Sequence, residues 1–184
     1  MATVRSGNRS ALLVVDVQKG NVASAYNRDA VVANIAATVA KARSAGVPVV
    51  WVQHSDAELV KGSDAWKIVQ ELSPEAADHL IEKSFNSSFE ETGLEELLES
   101  LGATKLVLTG AATNWCIRAT AYAALERGYD VCLIADAHTT ESIEFQDGRK
   151  IEAKDIIDDL NIALSWLSYP GRKNEAKKAA EYSF

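Results

Sequence analysis

Four short runs of apolar, largely β-branched residues constrain this chain more than any other feature: ALLVV at Ala11–Val15, VVWVQ at Val49–Gln53, KLVLT at Lys105–Thr109 and VCLIA at Val131–Ala135. None alternates polar and apolar residues as a half-solvated strand does. Each is nearly continuous, the pattern of a strand covered on both faces. Longer segments of helical character separate them. Gly46, Gly102 and Gly128 each stand just past such a segment and just before a strand, where a left-handed residue lets the chain leave a helix. Helix starts are read at Asn27, at Thr92 with Glu95 as a capping box, and at Thr113. Repeated strand–helix–strand units require right-handed crossovers. They predict an α/β fold: an open, doubly wound, Rossmann-like, mostly parallel sheet with helices on both faces.

The 184 residues suit a single domain over 1–184, and a hydrophobic fraction of 47% predicts a packed core. The stretch from Gln53 to Asn86 is polar and mixed and is expected to run over one sheet edge as loops and short helices. A long helical pattern follows from Ile151, and the closing EYSF is read as a candidate last strand. Net charge is −7, and the one basic cluster is the short group Arg172, Lys173, Lys177 and Lys178. Nucleic acid binding needs a basic stripe that is missing here. No run of about 18 apolar residues occurs, and MATVRSGNRS lacks the apolar block of a signal peptide. A cytoplasmic protein without a membrane partner is expected. Cys116 and Cys132 are too few to form a disulfide framework, so both are read as thiols.

Ligands of open α/β sheets bind beyond the carboxyl ends of the strands, where strand order reverses. Asp16, His54, the turn GAATN and Asp136 all leave strands at that edge. Provided that the strands holding ALLVV and KLVLT are neighbours, Asp16 and the GAATNWC turn converge. Cys116 then falls in the first turn of the helix starting at Thr113, where unpaired amides and the helix dipole favour a thiolate. On position alone it reads equally as a nucleophile or as a small buried hydrophobe. Cys132, in mid-strand, reads as core. Asp16 puts a charge at the end of an apolar strand, which costs free energy unless it is paired or used; a capping role is the alternative. Lys83 by itself reads as a solvated surface lysine. His54, His79 and His138 show no metal-ligand spacing, and there is no glycine-rich phosphate loop and no GxSxG elbow.

Together, ALLVVDVQ, the lysine of EKSFNSSF and LTGAATNWCIRATAYAALERGYDVCLIADAHTT resemble the isochorismatase-like cysteine hydrolase superfamily. That superfamily includes nicotinamidases, N-carbamoylsarcosine amidases, ureidoacrylate-type amidohydrolases and isochorismatases. The resemblance runs from about Ala11 to about Trp166. It implies a catalytic triad of Asp16, Lys83 and Cys116, with Lys83 and the helix dipole holding the thiolate. It also implies a cis peptide between Ala111 and Ala112, and an oxyanion hole made by the backbone amides of Ala112 and Cys116. The implied reaction cleaves a C–N bond of a small amide, ureide or carbamoyl compound through a thioester, with no cofactor. Two alternatives stay open: vinyl ether hydrolysis, which does not need the cysteine, and a non-catalytic binding module. The D-x-H metal pattern of the nicotinamidase branch is replaced by VQHSDAEL, so no metal is expected. Trp51, Phe89, Trp115 and His138 are the candidate pocket residues, and a homo-oligomer, dimer or larger, is the expected assembly.

Overall fold

The computed structural model describes residues 5–184; the first four residues of the N-terminal stretch read above lie outside them. Strand β1 (Arg9–Val15) leads through a single turn, α1 (Lys19–Val22), into α2 (Arg28–Ser44) and β2 (Val49–His54). After a long excursion come β3 (His79–Lys83), α3 (Leu94–Ser100) and β4 (Ala103–Ala111). A π-helical turn, Thr113–Ile117, runs directly into α4 (Arg118–Glu126) and on to β5 (Asp130–Thr139). A small hairpin of β6 (Ile143–Glu144) and β7 (Lys150–Ile151), then α5 (Ala153–Trp166) and β8 (Asn174–Lys177), complete the chain.

The main sheet has the order β3-β2-β1-β4-β5-β8, and every pairing in it is parallel. Because successive strand residues face opposite sides, each apolar run feeds two cores. Leu13, Val15, Leu106, Leu108 and Leu133 pack against Leu98 of α3, Leu125 of α4 and Leu160 of α5. Leu12, Val14, Val107 and Ile134 pack with Val32, Ile35 and Val39 of α2 on the other face. Cys132 is fully buried in that second core, as its mid-strand position predicts.

Three local readings are corrected. The excursion from Gln53 contributes an edge strand, β3, where short helices were expected: Leu80 and Glu82 are exposed while Ile81 and Lys83 turn inward, and pairing with β2 satisfies the backbone. EYSF forms no strand. The last strand is β8, set by Lys173, whose carbonyl accepts from the Val131 amide while its own amide donates to Asp130 Oδ1. Tyr182 of EYSF packs into the second core instead. Thr92 and Glu95 form no capping box: Gly93 holds the N-cap position, the Thr92 hydroxyl donates to the Ser88 carbonyl, and Glu95 turns to Arg5. Gly46, Gly102 and Gly128 do adopt positive φ at the ends of their helices.

β1 and β4 approach closely where the strand order reverses. A Cβ on Gly110 would lie 1.9 Å from the Val15 carbonyl oxygen, and its φ is 125°. Only glycine fits such a contact, so the glycine of the GAATN turn sets the sheet register beneath the site. Among the described residues no helix is long and apolar enough to cross a membrane.

Candidate active site

The order reverses between β1 and β4, whose crossovers lead to opposite sides, and at their carboxyl ends lies a compact polar group. Asp16 follows β1 directly, in a left-handed conformation (φ 52°) that bends the chain off the sheet. Lys83 is the last residue of β3, and Cys116 lies in the π-helical turn after β4. The Lys83 ammonium is 2.6 Å from Asp16 Oδ2 and 3.2 Å from Cys116 Sγ, and it also donates to the Phe85 carbonyl at 3.1 Å. All three side chains are buried. Three residues that no local pattern connects are therefore in mutual contact. Asn86 Oδ1 stands 3.9 Å from the sulfur on the other side.

The turn carrying Cys116 differs from the expected α-helical cap. The peptide bond between Ala111 and Ala112 is cis, Ala112 takes the N-cap position, and the Thr113 hydroxyl goes to His138 instead of to the helix. The Ala112 carbonyl accepts from the amides of both Trp115 and Ile117. Among the described residues the amide of Ala112, which lies between β4 and the π-helical turn, donates to no backbone carbonyl.

Electrostatics corrects the expectation of a standing thiolate. Burial and then the Asp16 charge push the Cys116 thiol up to about 12, against the opposing pull of Lys83. Loss of water around the sulfur thus favours the thiol over the thiolate in this site. Asp16 is also raised above the ordinary carboxylate range, by burial first, while Lys83 and the Cys116 thiol pull it down. Burial thus favours the protonated form of both groups, beside the Lys83 ammonium.

Residues 10–155 match the family model of the isochorismatase domain. The chain belongs to the isochorismatase family. Streptothricin hydrolase of Streptomyces noursei is 34% identical over 161 residues, covering 84% of this chain and 56% of the relative; the chain thus spans little more than half of that protein. An Arabidopsis thaliana protein described as a probable inactive nicotinamidase is 31% identical over 174 residues, covering 80% of this chain and 89% of the relative. The crystal structure of an isochorismatase from Pseudomonas putida KT2440 matches with a TM-score of 0.83 at 25% identity, over 95% of this chain and 91% of that one. Amidohydrolases are among the relatives of this isochorismatase-family chain.

Of the four candidate pocket residues of this isochorismatase-family chain, only Trp115 stands at an opening. It is 57% exposed and lines a cavity of about 560 Å³ with Gly20, Asn21, Ala112, Asn114 and Thr140. Trp51 is a core residue whose indole donates to Asp78, and Phe89 packs on Tyr129. His138 is also buried, because it supports the turn from below. Asn161 donates its amide to the Ala135 carbonyl and so turns Oδ1 to His138 Nε2; the opposite nitrogen, Nδ1, then accepts from the Thr113 hydroxyl at 2.8 Å.

Burial lowers the His138 pKa from 6.5 to about 4, which keeps the ring neutral. With a depressed folded value, its contribution to stability is complete above pH 6.5 and is lost as pH falls through about 4. The full difference is roughly 3 kcal/mol. Urea denaturation at a series of pH values should show this acid loss in the wild type and a shallower dependence in His138→Gln; equal slopes would refute the assignment.

Gln18 was not singled out from the sequence, although it belongs to the VDVQ run. Its amide nitrogen donates to the carbonyls of His54 and Trp66, and its Oε1 accepts from the His54 amide, so it clamps the end of β2 to the excursion. His54 is held in place by this clamp. Its ring faces the Asp56 carboxylate at 3.1 Å on one side and the Lys83 ammonium at 3.4 Å on the other. A metal ion does not suit this arrangement, since a cation already occupies the Nδ1 side. Among the described residues no group of three or more His, Cys, Asp or Glu side chains is placed to hold one.

Proposed function

We propose that this chain hydrolyses a C–N bond of a small amide, ureide or carbamoyl substrate through a thioester on Cys116, with Asp16 and Lys83 as its partners. The observation that carries the reading is the buried contact of Asp16, Lys83 and Cys116 at the point where strand order reverses. Its catalytic logic follows from their charges. The thiol is un-ionised at rest, so the nucleophile forms as its proton passes to Asp16, while Lys83 takes up the negative charge left on sulfur. Sulfur attacks the carbonyl carbon, and the electron pair of the C=O bond moves to oxygen. The amides of Ala112 and Cys116 support an oxyanion there, each good donor contributing roughly 3–4 kcal/mol.

As the carbonyl re-forms, the C–N bond breaks and Asp16 returns its proton to the departing nitrogen. In the second half Asp16 takes a proton from water, hydroxide adds to the thioester, the C–S bond breaks, and the sulfur recovers its proton from Asp16. The cavity beside Ala112 and Trp115 is of the size that takes a small molecule.

A panel of small amides and ureides, followed by intact-protein mass spectrometry and an assay of released amine, tests this reading. A substrate-sized adduct accompanied by amine release is the expected result. Turnover of isochorismate with no adduct would support the vinyl ether reading. Silence across the panel would favour the non-catalytic module, the reading that the description of the Arabidopsis relative as inactive supports.

A further inference from the structure

Lys83 has more acceptors than protons. An ammonium group offers three N–H bonds, yet four acceptors surround Nζ: Asp16 Oδ2 at 2.6 Å, the Phe85 carbonyl at 3.1 Å, Cys116 Sγ at 3.2 Å and His54 Nδ1 at 3.4 Å. The first two, a charged oxygen at the shortest distance and a fixed carbonyl, each retain a proton. The third proton is contested between sulfur and imidazole.

His54 can compete only if Nδ1 carries a lone pair, and the surroundings enforce that. Asp56 faces Nε2 at 3.1 Å, while Asp56 Oδ1 accepts from the backbone amides of Glu58 at 2.8 Å and Leu59 at 2.7 Å. These backbone hydrogen bonds hold Asp56 below the usual carboxylate range, so it accepts and does not donate. In the uncharged ring this places the proton on Nε2 and leaves Nδ1 bare. Gln18 fixes the His54 backbone from both its donor and its acceptor side. The charged and titratable groups facing the ring are Asp56, Lys83, Asp16 and, across Lys83, Cys116.

We propose that His54, oriented by Asp56, is a positioning residue that takes the third N–H of Lys83 in competition with Cys116 and so keeps the resting sulfur a thiol. The resting enzyme then holds a cysteine of low intrinsic reactivity. A shift of Lys83 away from His54 hands the third N–H to sulfur. The proposal rests on the proposed function only in taking Cys116 as the reacting group.

The test reads alkylation and not hydrolysis, so the two readings fail separately. Iodoacetamide labelling of Cys116 is followed by peptide mass spectrometry from pH 6 to 10 in wild type, His54→Leu, His54→Asn and Asp56→Ala. With the competitor removed, the His54→Leu profile should move about one pH unit lower, which is roughly tenfold faster labelling on the rising limb. His54→Asn keeps a polar acceptor and should overlay the wild type. Asp56→Ala unlocks the tautomer and should shift the profile in the same direction by less. Unchanged or higher profiles in both His54→Leu and Asp56→Ala would overturn the proposal. So would identical behaviour of His54→Leu and His54→Asn, which would reduce His54 to a space-filling role. Should His54→Leu fail to fold by circular dichroism, Asp56→Ala decides alone, because Asp56 is exposed and its replacement leaves the core untouched.

Discussion

Replacing Cys116 by alanine is expected to cut amide turnover by about 10⁴- to 10⁶-fold, the range seen when a covalent nucleophile is removed, while the fold survives. Cys116 is only 8% exposed, but it contributes one small side chain at the rim of the first core. Losing its 3.2 Å contact with Lys83 costs at most about 1 kcal/mol. The large effect on rate and the small effect on stability separate a chemical role from a packing one. Steady-state kinetics beside thermal denaturation would check both halves. Turnover within tenfold of wild type would eliminate the thioester. Collapse of the fold would show that Cys116 is structural.

Replacing Asp16 by asparagine is expected to lower kcat/KM by about 10²- to 10⁴-fold, the usual worth of a positioned general base. The effect on stability decides between two views of its pairing with Lys83. A structural buried ion pair loses about 3–5 kcal/mol when one partner is neutralised. Here, however, burial raises the Asp16 pKa despite the adjacent ammonium, so desolvation outweighs the attraction. A folded pKa above the unfolded one means that the contribution of Asp16 to stability is complete below the ordinary carboxylate range. It is lost as pH rises through the folded value. Wherever Asp16 is ionised its charge strains the fold, and Asp16→Asn should be as stable as the wild type or more so. Its advantage should grow as pH rises through the Asp16 titration. Urea denaturation from pH 4 to 8 would measure this; a loss of several kcal/mol at neutral pH would contradict it. A residue that costs stability yet is kept is expected where activity is at stake.

The sequence by itself determined the architecture. Continuous apolar runs such as ALLVV and VCLIA have no stable place except a sheet covered on both faces, and Gly46, Gly102 and Gly128 mark the helix ends through a backbone preference that is local. Asp16 and Cys116 were legible as candidates for the same reason: a charge ending an apolar strand and a thiol in the turn after another are local anomalies. Lys83 was not. In the chain it is one lysine in a polar stretch, and only the pairing of the edge strand β3 with β2 carries it across to Asp16. Tertiary structure alone also decided the protonation states, because desolvation depends on everything packed around a group. A turn expected to hold a thiolate instead holds a thiol raised to about 12. His138 and Trp51, which read from the chain as pocket residues, became a support and a core residue, since what packs over a strand decides whether its side chains are exposed or buried. The contest between His54 and Cys116 for one proton of Lys83 involves residues from β2, the π-helical turn and β3, and no linear pattern records that meeting.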